Sequence, residues 1–373
     1  MTSIARKGVD LWLYTAVLIL MTVGVVEVYS SSVFLADHKF AGQHDHFFVR
    51  QLVFFGIALF AMLVFAAADY RWFRKAIWVL SGLSLALLAV TLFMPKINDA
   101  SRWIRFAGFS IQPSEIFKYV MVYLVAHYLA NDQKKSYPDW YRYAVPSVVL
   151  AGMALIMAEP DLGTIIVLSA VVVSMLFVAG VRYRLVAIGT AILGVVGYLA
   201  VFVFEYKRGR ITEYVNAIDD PLQGAYQVKQ SILYIGSGGL FGKGIGRGAA
   251  KLFFLPEAHT DFIFANLAEE GGFVWVTIVL ILFFILFWRG LRVAVASQDR
   301  FGFFLAYGFT MILTVSALIN IAVTVNLIPT TGMPLPFVSY GGTSLLISAS
   351  AVGILLNISR RRRKREQLFA RSG

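Results

Sequence analysis

Long apolar runs separated by short polar breaks dominate the chain. Ten such runs fall at about residues 11–32, 47–68, 76–94, 113–130, 143–158, 162–180, 185–205, 262–288, 302–326 and 343–358. Each approaches or exceeds the roughly 20 residues that a helix needs to cross a hydrocarbon layer. The first follows Arg6 and Lys7 in the manner of a secretion signal. Its apolar stretch outruns the roughly 7–15 residues of a signal core, and no small-x-small cleavage site closes it, so a retained first helix is expected. Most breaks are short, but 95–112, 206–261 and 327–342 are substantial. With the N-terminus inside, all three fall on the same outer face.

Composition agrees with that pattern. Of 373 residues, 59% are hydrophobic and 14% charged, where soluble domains carry about 25% charged residues. A soluble globular enzyme, a disordered chain and a fibrous repeat are excluded. Cysteine is absent, which removes disulfides, thiolate metal sites and a thiol nucleophile. The fold expected is an all-α integral membrane protein of about ten transmembrane helices, one polytopic domain over 1–373, with no internal repeat.

The formal charge of +12 raises nucleic acid as a partner, but on so apolar a chain it points first to cytoplasmic loops. Placing both termini in the cytoplasm puts 20 of the 33 Lys and Arg there, including Arg71–Lys75, Arg289–Arg300 and the tail of about 359–373. Eleven fall outside, and Arg50 and Lys118 lie within spans. The tail reads as an anchor on anionic lipid rather than a nucleic-acid arm. Function is therefore sought on the outer face.

Glu115 and Lys118 stand three residues apart at the start of the fourth run, on one helix face. An internal ion pair that fixes packing and a cation facing an anionic substrate are both open readings. Gln112 and Pro113 suit a helix start. Arg102 and Arg105, around Trp103, are interfacial anchors or phosphate ligands. Glu159-Pro160-Asp161-Leu162-Gly163-Thr164 forms a tight turn with Asp161 expected to cap the next helix.

Seven glycines lie between Gly236 and Gly248. Gly242-Lys243 invites a P-loop reading, but Ser237 and Gly244 occupy positions that a P-loop gives to Gly and to Ser or Thr. A close-packed loop, basic through Lys243, Arg247 and Lys251, is the better account. Asp261 stands where the eighth span begins, beside His259 and Glu257. It reads equally as a helix cap or as a general base at the membrane face. Glu269 and Glu270, two turns deeper, must face protein or a hydrated cavity. Three prolines and three glycines between Pro329 and Thr343 forbid regular helix. Such backbone at membrane depth must be covered by protein or line a wet cavity.

Four segments together carry a resemblance: Gln112-Pro113-Ser114-Glu115 with Lys118, Pro160-Asp161-Leu162-Gly163, Leu255 to Ala265, and Pro334 through Gly342. In this order on a ten-span topology, the chain resembles the SEDS family of bacterial shape, elongation, division and sporulation proteins. The resemblance runs from Val28-Tyr29-Ser30-Ser31-Ser32 nearly to the end. It implies a peptidoglycan glycosyltransferase that polymerises lipid II at the outer face of the cytoplasmic membrane, partnered by a class B penicillin-binding protein and other divisome proteins. It makes Asp261 the catalytic base, which favours that role over the cap. It places Glu115 and Lys118 in a central cavity.

Candidate substrate ligands are then Lys118, Glu115, Arg102, Gln112, Lys251 and Ser339. The leaving pyrophosphate needs charge stabilisation by cations or by a divalent metal, Mg or Mn. Glu159 and Ala258 look more like the family's cell-division branch, and Leu267-Ala268-Glu269-Glu270 leans toward its elongation branch; the division branch is favoured. The alternatives are an elongation polymerase, a lipid II flippase, a polymerase of another lipid-pyrophosphate sugar such as O-antigen, and a structural scaffold.

Overall fold

Nine of the ten apolar runs are helices; the seventh, 185–205, lies outside the described residues apart from single positions. The computed structural model describes residues 8–39, 44–95, 101–106, 109–131, 139–184, 226–249 and 257–361, with a few single positions between 187 and 215. In chain order the described elements are α1 (Leu11–Lys39), α2 (His46–Ala67), α3 (Tyr70–Lys75), α4 (Ile77–Thr91), β1 (Ile104–Phe106), β2 (Phe109–Ile111), α5 (Pro113–Asn131), α6 (Asp139–Ala158), α7 (Leu162–Val178), α8 (Tyr226–Gly238), α9 (Ile263–Val295), α10 (Arg300–Thr324) and α11 (Gly342–Arg360). Five are long and apolar enough to cross a membrane, within α1, α2, α9, α10 and α11, and three shorter apolar helices accompany them. The protein is a multi-pass, all-α membrane protein.

The centre of the bundle is α5, α10 and α11. On α5 nearly every side chain is buried, charged ones included, because α4, α10, α7, α11 and α6 pack around it. α2 lies along α11, and α1 against α9 and α2. Gly24 in α1 lies so close to the 337–338 backbone that any Cβ there would collide with Phe337 and Val338. That close crossing lets α1 cover the last loop. The segment 326–341 is non-helical, as its prolines and glycines require, and its Met333, Leu335, Phe337 and Val338 are buried. Its irregular backbone is thus covered by protein, which is the condition for such backbone in a membrane protein.

The structure departs from the sequence expectation in four places. A short extra helix, α3, precedes the 76–94 run and is capped by Asp69, whose carboxylate accepts from Arg71 N at 3.0 Å. The loop 95–112 contains an antiparallel pair, Ile104 opposite Ile111 and Phe106 opposite Phe109, where no strand was expected. The outer loop contains a helix, α8. Most consequentially, the expected single helix over 262–288 is broken at Gly272, which takes φ 67° and ψ −168°.

That break accounts for the glycine-rich stretch. A helix cut at one residue strands carbonyls before the cut and N–H groups after it, and each must find a partner. The loop supplies them. Lys243 N donates to Glu269 O at 3.0 Å and Gly244 N to Glu270 O at 2.9 Å. Across the cut, Phe273 N donates to Gly239 O at 2.9 Å and Val274 N to Leu240 O at 3.2 Å. The loop closes around the paired glutamates: Gly246 N and Gly248 N donate to the Glu270 carboxylate, Ala249 N and Lys243 Nζ to that of Glu269. The glycines are there because backbone must reach backbone, and Gly242 faces Gly272 with no room for a Cβ on either. Glu269 and Glu270 therefore face protein, as their depth requires.

Candidate active site

The short helix 263–271 and the turn before it carry the acid singled out in the sequence. Thr260 N and Phe262 N both donate to Glu257 O, at 3.1 and 3.2 Å, closing a turn over 257–262. Phe262, Ile263, Phe264 and Ala265 are buried, whereas Asp261 is partly exposed. The N-cap position belongs to Phe262, which makes no side-chain cap bond. Asp261 therefore stands one residue outside the N-cap position.

Three hydrogen bonds and a ring cluster hold this turn to the rest of the molecule. Ser339 Oγ donates to Thr260 O at 2.5 Å and accepts from Leu335 N at 2.8 Å. Tyr340 N donates to His259 O at 2.9 Å. Asn320 Nδ2 donates to Asp261 O at 2.8 Å and to Met333 O at 2.7 Å. The rings of His259, Tyr340 and Phe47 pack together at centroid distances of 5.2 to 5.8 Å. Ser339, expected among the substrate ligands, is buried and braces the two loop segments.

Opposite Asp261 lies Arg102. The nearest groups to a Cβ built on Gly332 are Asp261 Oδ2 at 3.6 Å and Arg102 Nη1 at 3.9 Å, so carboxylate and guanidinium converge over one glycine. Arg102 is aimed by the turn between α6 and α7: its Nε donates to Glu159 O at 3.0 Å, its Nη2 donates to Pro160 O, and Nη1 lies 3.9 Å from Asp161 Oδ1. Asp161 caps α7 as expected, accepting from Thr164 N at 3.2 Å and from Thr164 Oγ1 at 2.8 Å. Glu159 is fully buried, accepts from Thr91 Oγ1, and leaves its Oε2 without a partner among the described residues. Burial pushes its carboxyl up to about 7, with Asp161 adding to the rise and Thr91 and Arg102 opposing it.

Glu115 and Lys118 form an ion pair of 2.6 Å, their side chains 3% and 4% exposed. Gln112 Nε2 donates to Ser114 Oγ at 3.1 Å at the head of the same helix. Lys251 lies outside the described residues. Glu27 in α1 carries weight that its sequence did not announce. It is buried, and its Oε2 accepts from Asn266 Nδ2 at 2.8 Å. One turn along α1, Ser30 Oγ donates to the Glu270 carboxylate at 2.6 Å. A carboxylate inside the first apolar run was the signal that could have found it.

Comparison with known proteins supplies the lineage of this arrangement. The family described as "Cell cycle protein", comprising FtsW, RodA and SpoVE, matches residues 11–364. The chain belongs to this family. It is 41% identical over 364 residues to stage V sporulation protein E of Bacillus subtilis, covering 95% of this chain and 98% of that protein. It is 42% identical over 362 residues to "Probable peptidoglycan glycosyltransferase FtsW" of Geobacter metallireducens, covering 93% and 95%. Among solved structures, a chain of a peptidoglycan synthase complex that coordinates polymerization and crosslinking superposes with a TM-score of 0.75 at 26% identity, covering 95% of this chain and 99% of that one. Thermus thermophilus RodA superposes with a TM-score of 0.69, also at 26% identity, covering 97% and 99%. The FtsW/RodA/SpoVE architecture thus extends over nearly the whole chain, with Asp261 and Arg102 at one end of its bundle.

Proposed function

We propose that this protein is a peptidoglycan glycosyltransferase that polymerises lipid II at the outer face of the bacterial cytoplasmic membrane during septal wall synthesis. The observation that carries the reading is the placement of Asp261. It is a partly exposed carboxylate on a braced turn, converging with the guanidinium of Arg102 over Gly332. In the reaction, an acceptor sugar hydroxyl oxygen forms a bond to the donor's anomeric carbon. The bond from that carbon to the pyrophosphate oxygen breaks, and its electron pair leaves on the phosphate. Asp261 takes the hydroxyl proton. The departing lipid pyrophosphate is already a stable anion, so it needs positive charge rather than a proton. Arg102 is placed to supply that charge, and Lys118, Glu115, Gln112 and the basic outer loop with Lys251 are the further candidates for substrate contact.

Among the described residues no three acidic or imidazole groups converge as a metal-ligating set. A Mg or Mn ion, if it serves the reaction, would supply positive charge to the departing pyrophosphate. The partner proposed is a class B penicillin-binding protein with other divisome proteins. The structural neighbour from a peptidoglycan synthase complex and the FtsW relatives support that choice.

A lipid II flippase or an elongation polymerase would share much of this architecture. Purified protein with its partner, given lipid II in detergent, separates the first: there are no two sides to flip between, so glycan chains form only by polymerisation. Chains on a gel are the expected result. Intact lipid II recovered after a long incubation overturns the reading. Depletion of the protein in its host distinguishes the branches, with filaments expected for division and rounded cells for elongation.

A further inference from the structure

Asp261 lies two residues before its helix, and that helix is severed from the rest of α9 at Gly272. A rigid helix axis therefore does not set where the carboxylate points; whatever grips the 257–262 backbone does. Ser339 and Tyr340 hold Thr260 and His259 from the last loop. One grip on Asp261 itself comes from α10. The Asn320 amide nitrogen has two hydrogens, and two carbonyls accept from it, Asp261 O at 2.8 Å and Met333 O at 2.7 Å. Asn320 is 1% exposed, its neighbours Ala317 and Val323 are buried in the core, and its own carbonyl accepts from Thr324 Oγ1 at 2.8 Å. Met333 directly follows Gly332, over which the Asp261 carboxylate and the Arg102 guanidinium meet. One side-chain amide thus ties the base to the wall it faces.

We propose that Asn320 is a positioning residue for Asp261, setting the gap between the carboxylate and the 331–333 wall. The proposal rests on the glycosyltransferase reading. The task needs an amide: two donors on one planar nitrogen can serve two carbonyls that converge from separate loops. An aspartate of the same shape has no N–H and would press oxygen against both carbonyls. Asn320 binds backbone carbonyls, so its loss leaves the substrate-binding side chains in place and moves the base. A misplacement of about 1 Å in reacting groups costs on the order of 100-fold in rate.

The test compares wild type, Asn320→Asp and Asn320→Ser, each purified with the partner, in initial-rate lipid II polymerisation over a range of substrate concentrations and pH. Both variants should lose kcat by about 100-fold with KM within about threefold, after normalising to folded protein. Their rate–pH profiles should also shift from wild type, because the carboxylate has moved relative to Arg102. A wild-type protein that makes no glycan overturns the function and the proposal with it. Active wild type with variants whose loss only tracks folded fraction, or with raised KM and unchanged kcat, overturns the positioning role alone. The Ser variant, smaller and neutral, keeps the comparison available should the buried charge of the Asp variant prevent folding.

Discussion

At the scale of single residues, burial decides what each charge can do. Lys118 and Glu115 sit 2.6 Å apart with almost no solvent contact, so each neutralises the other at the cost of desolvating both. Removing one partner leaves the other as an uncompensated buried charge, which costs about 3–5 kcal/mol. Lys118→Met should therefore lower the thermal unfolding midpoint in detergent sharply, and Glu115→Gln with Lys118→Met should restore most of it. If the pair also serves the substrate, the double variant regains stability and not glycan synthesis; equal recovery of both would reduce the pair to packing. Glu159 behaves oppositely, because its buried carboxyl is raised from 4.5 to about 7 by loss of solvent. Below 4.5 the folded and unfolded chains are both protonated there. Between 4.5 and 7 the folded chain keeps a proton that the unfolded chain releases, so stability falls as pH rises through that window. Glu159→Gln should flatten this fall, seen as unfolding midpoints at pH 5 and pH 7.5 that lie closer together than in wild type.

At the scale of elements, the break at Gly272 turns a span into two parts, and the glycine-rich loop joins them by four backbone bonds across the cut. Gly272 has φ 67° and lies against Gly242, Leu240 and Phe241 with no space for a Cβ. Gly272→Ala is expected to strain the backbone and push the loop away. The expected readout is faster amide exchange over 239–249 and 263–271, with the far half of α9 unchanged. Uniform exchange throughout α9 would show that the cut is not held by this loop. The break was illegible in the sequence because apolar residues continue on both sides of Glu269-Glu270-Gly271-Gly272, and hydrophobicity reports length rather than continuity. The composition of 236–248 excluded a P-loop and suggested close packing, but what it packs against lies some 25 residues away and needed coordinates. The last loop was readable, since its prolines and glycines leave no helical option. The Asp161 cap was readable for a related reason, being a local bond three residues long.

Across the whole molecule, polar contacts gather at both ends of an apolar bundle and do different work at each. At the end away from Asp261, Arg289 grips Asp10 through two bonds of 2.6 and 3.0 Å, Arg361 meets Asp69 at 2.8 Å, and Asp299 takes Tyr70 and Arg71. These pairs staple the N-terminal helix, the α2–α3 turn, the α9–α10 turn and the end of α11. Arg289→Ala should lower the unfolding midpoint, since it removes the guanidinium from the buried Asp10 carboxylate, while glycan synthesis per folded molecule stays unchanged; a loss of turnover without a loss of stability would contradict that division of labour. The positive-charge pattern led to the expectation of a basic cytoplasmic end opposite an outer face bearing the candidate chemistry. Which outer residues meet was beyond it, because Arg102, Asp261 and Gly332 come together from three separate loops. Parallel lipid II polymerisation by purified wild type and Asp261→Asn, each with the partner transpeptidase, decides whether Asp261 is the base. Glycan chains are expected from wild type and none from the variant, with the variant still folding and co-purifying with its partner. Chains of near-normal length and yield from Asp261→Asn would contradict that assignment.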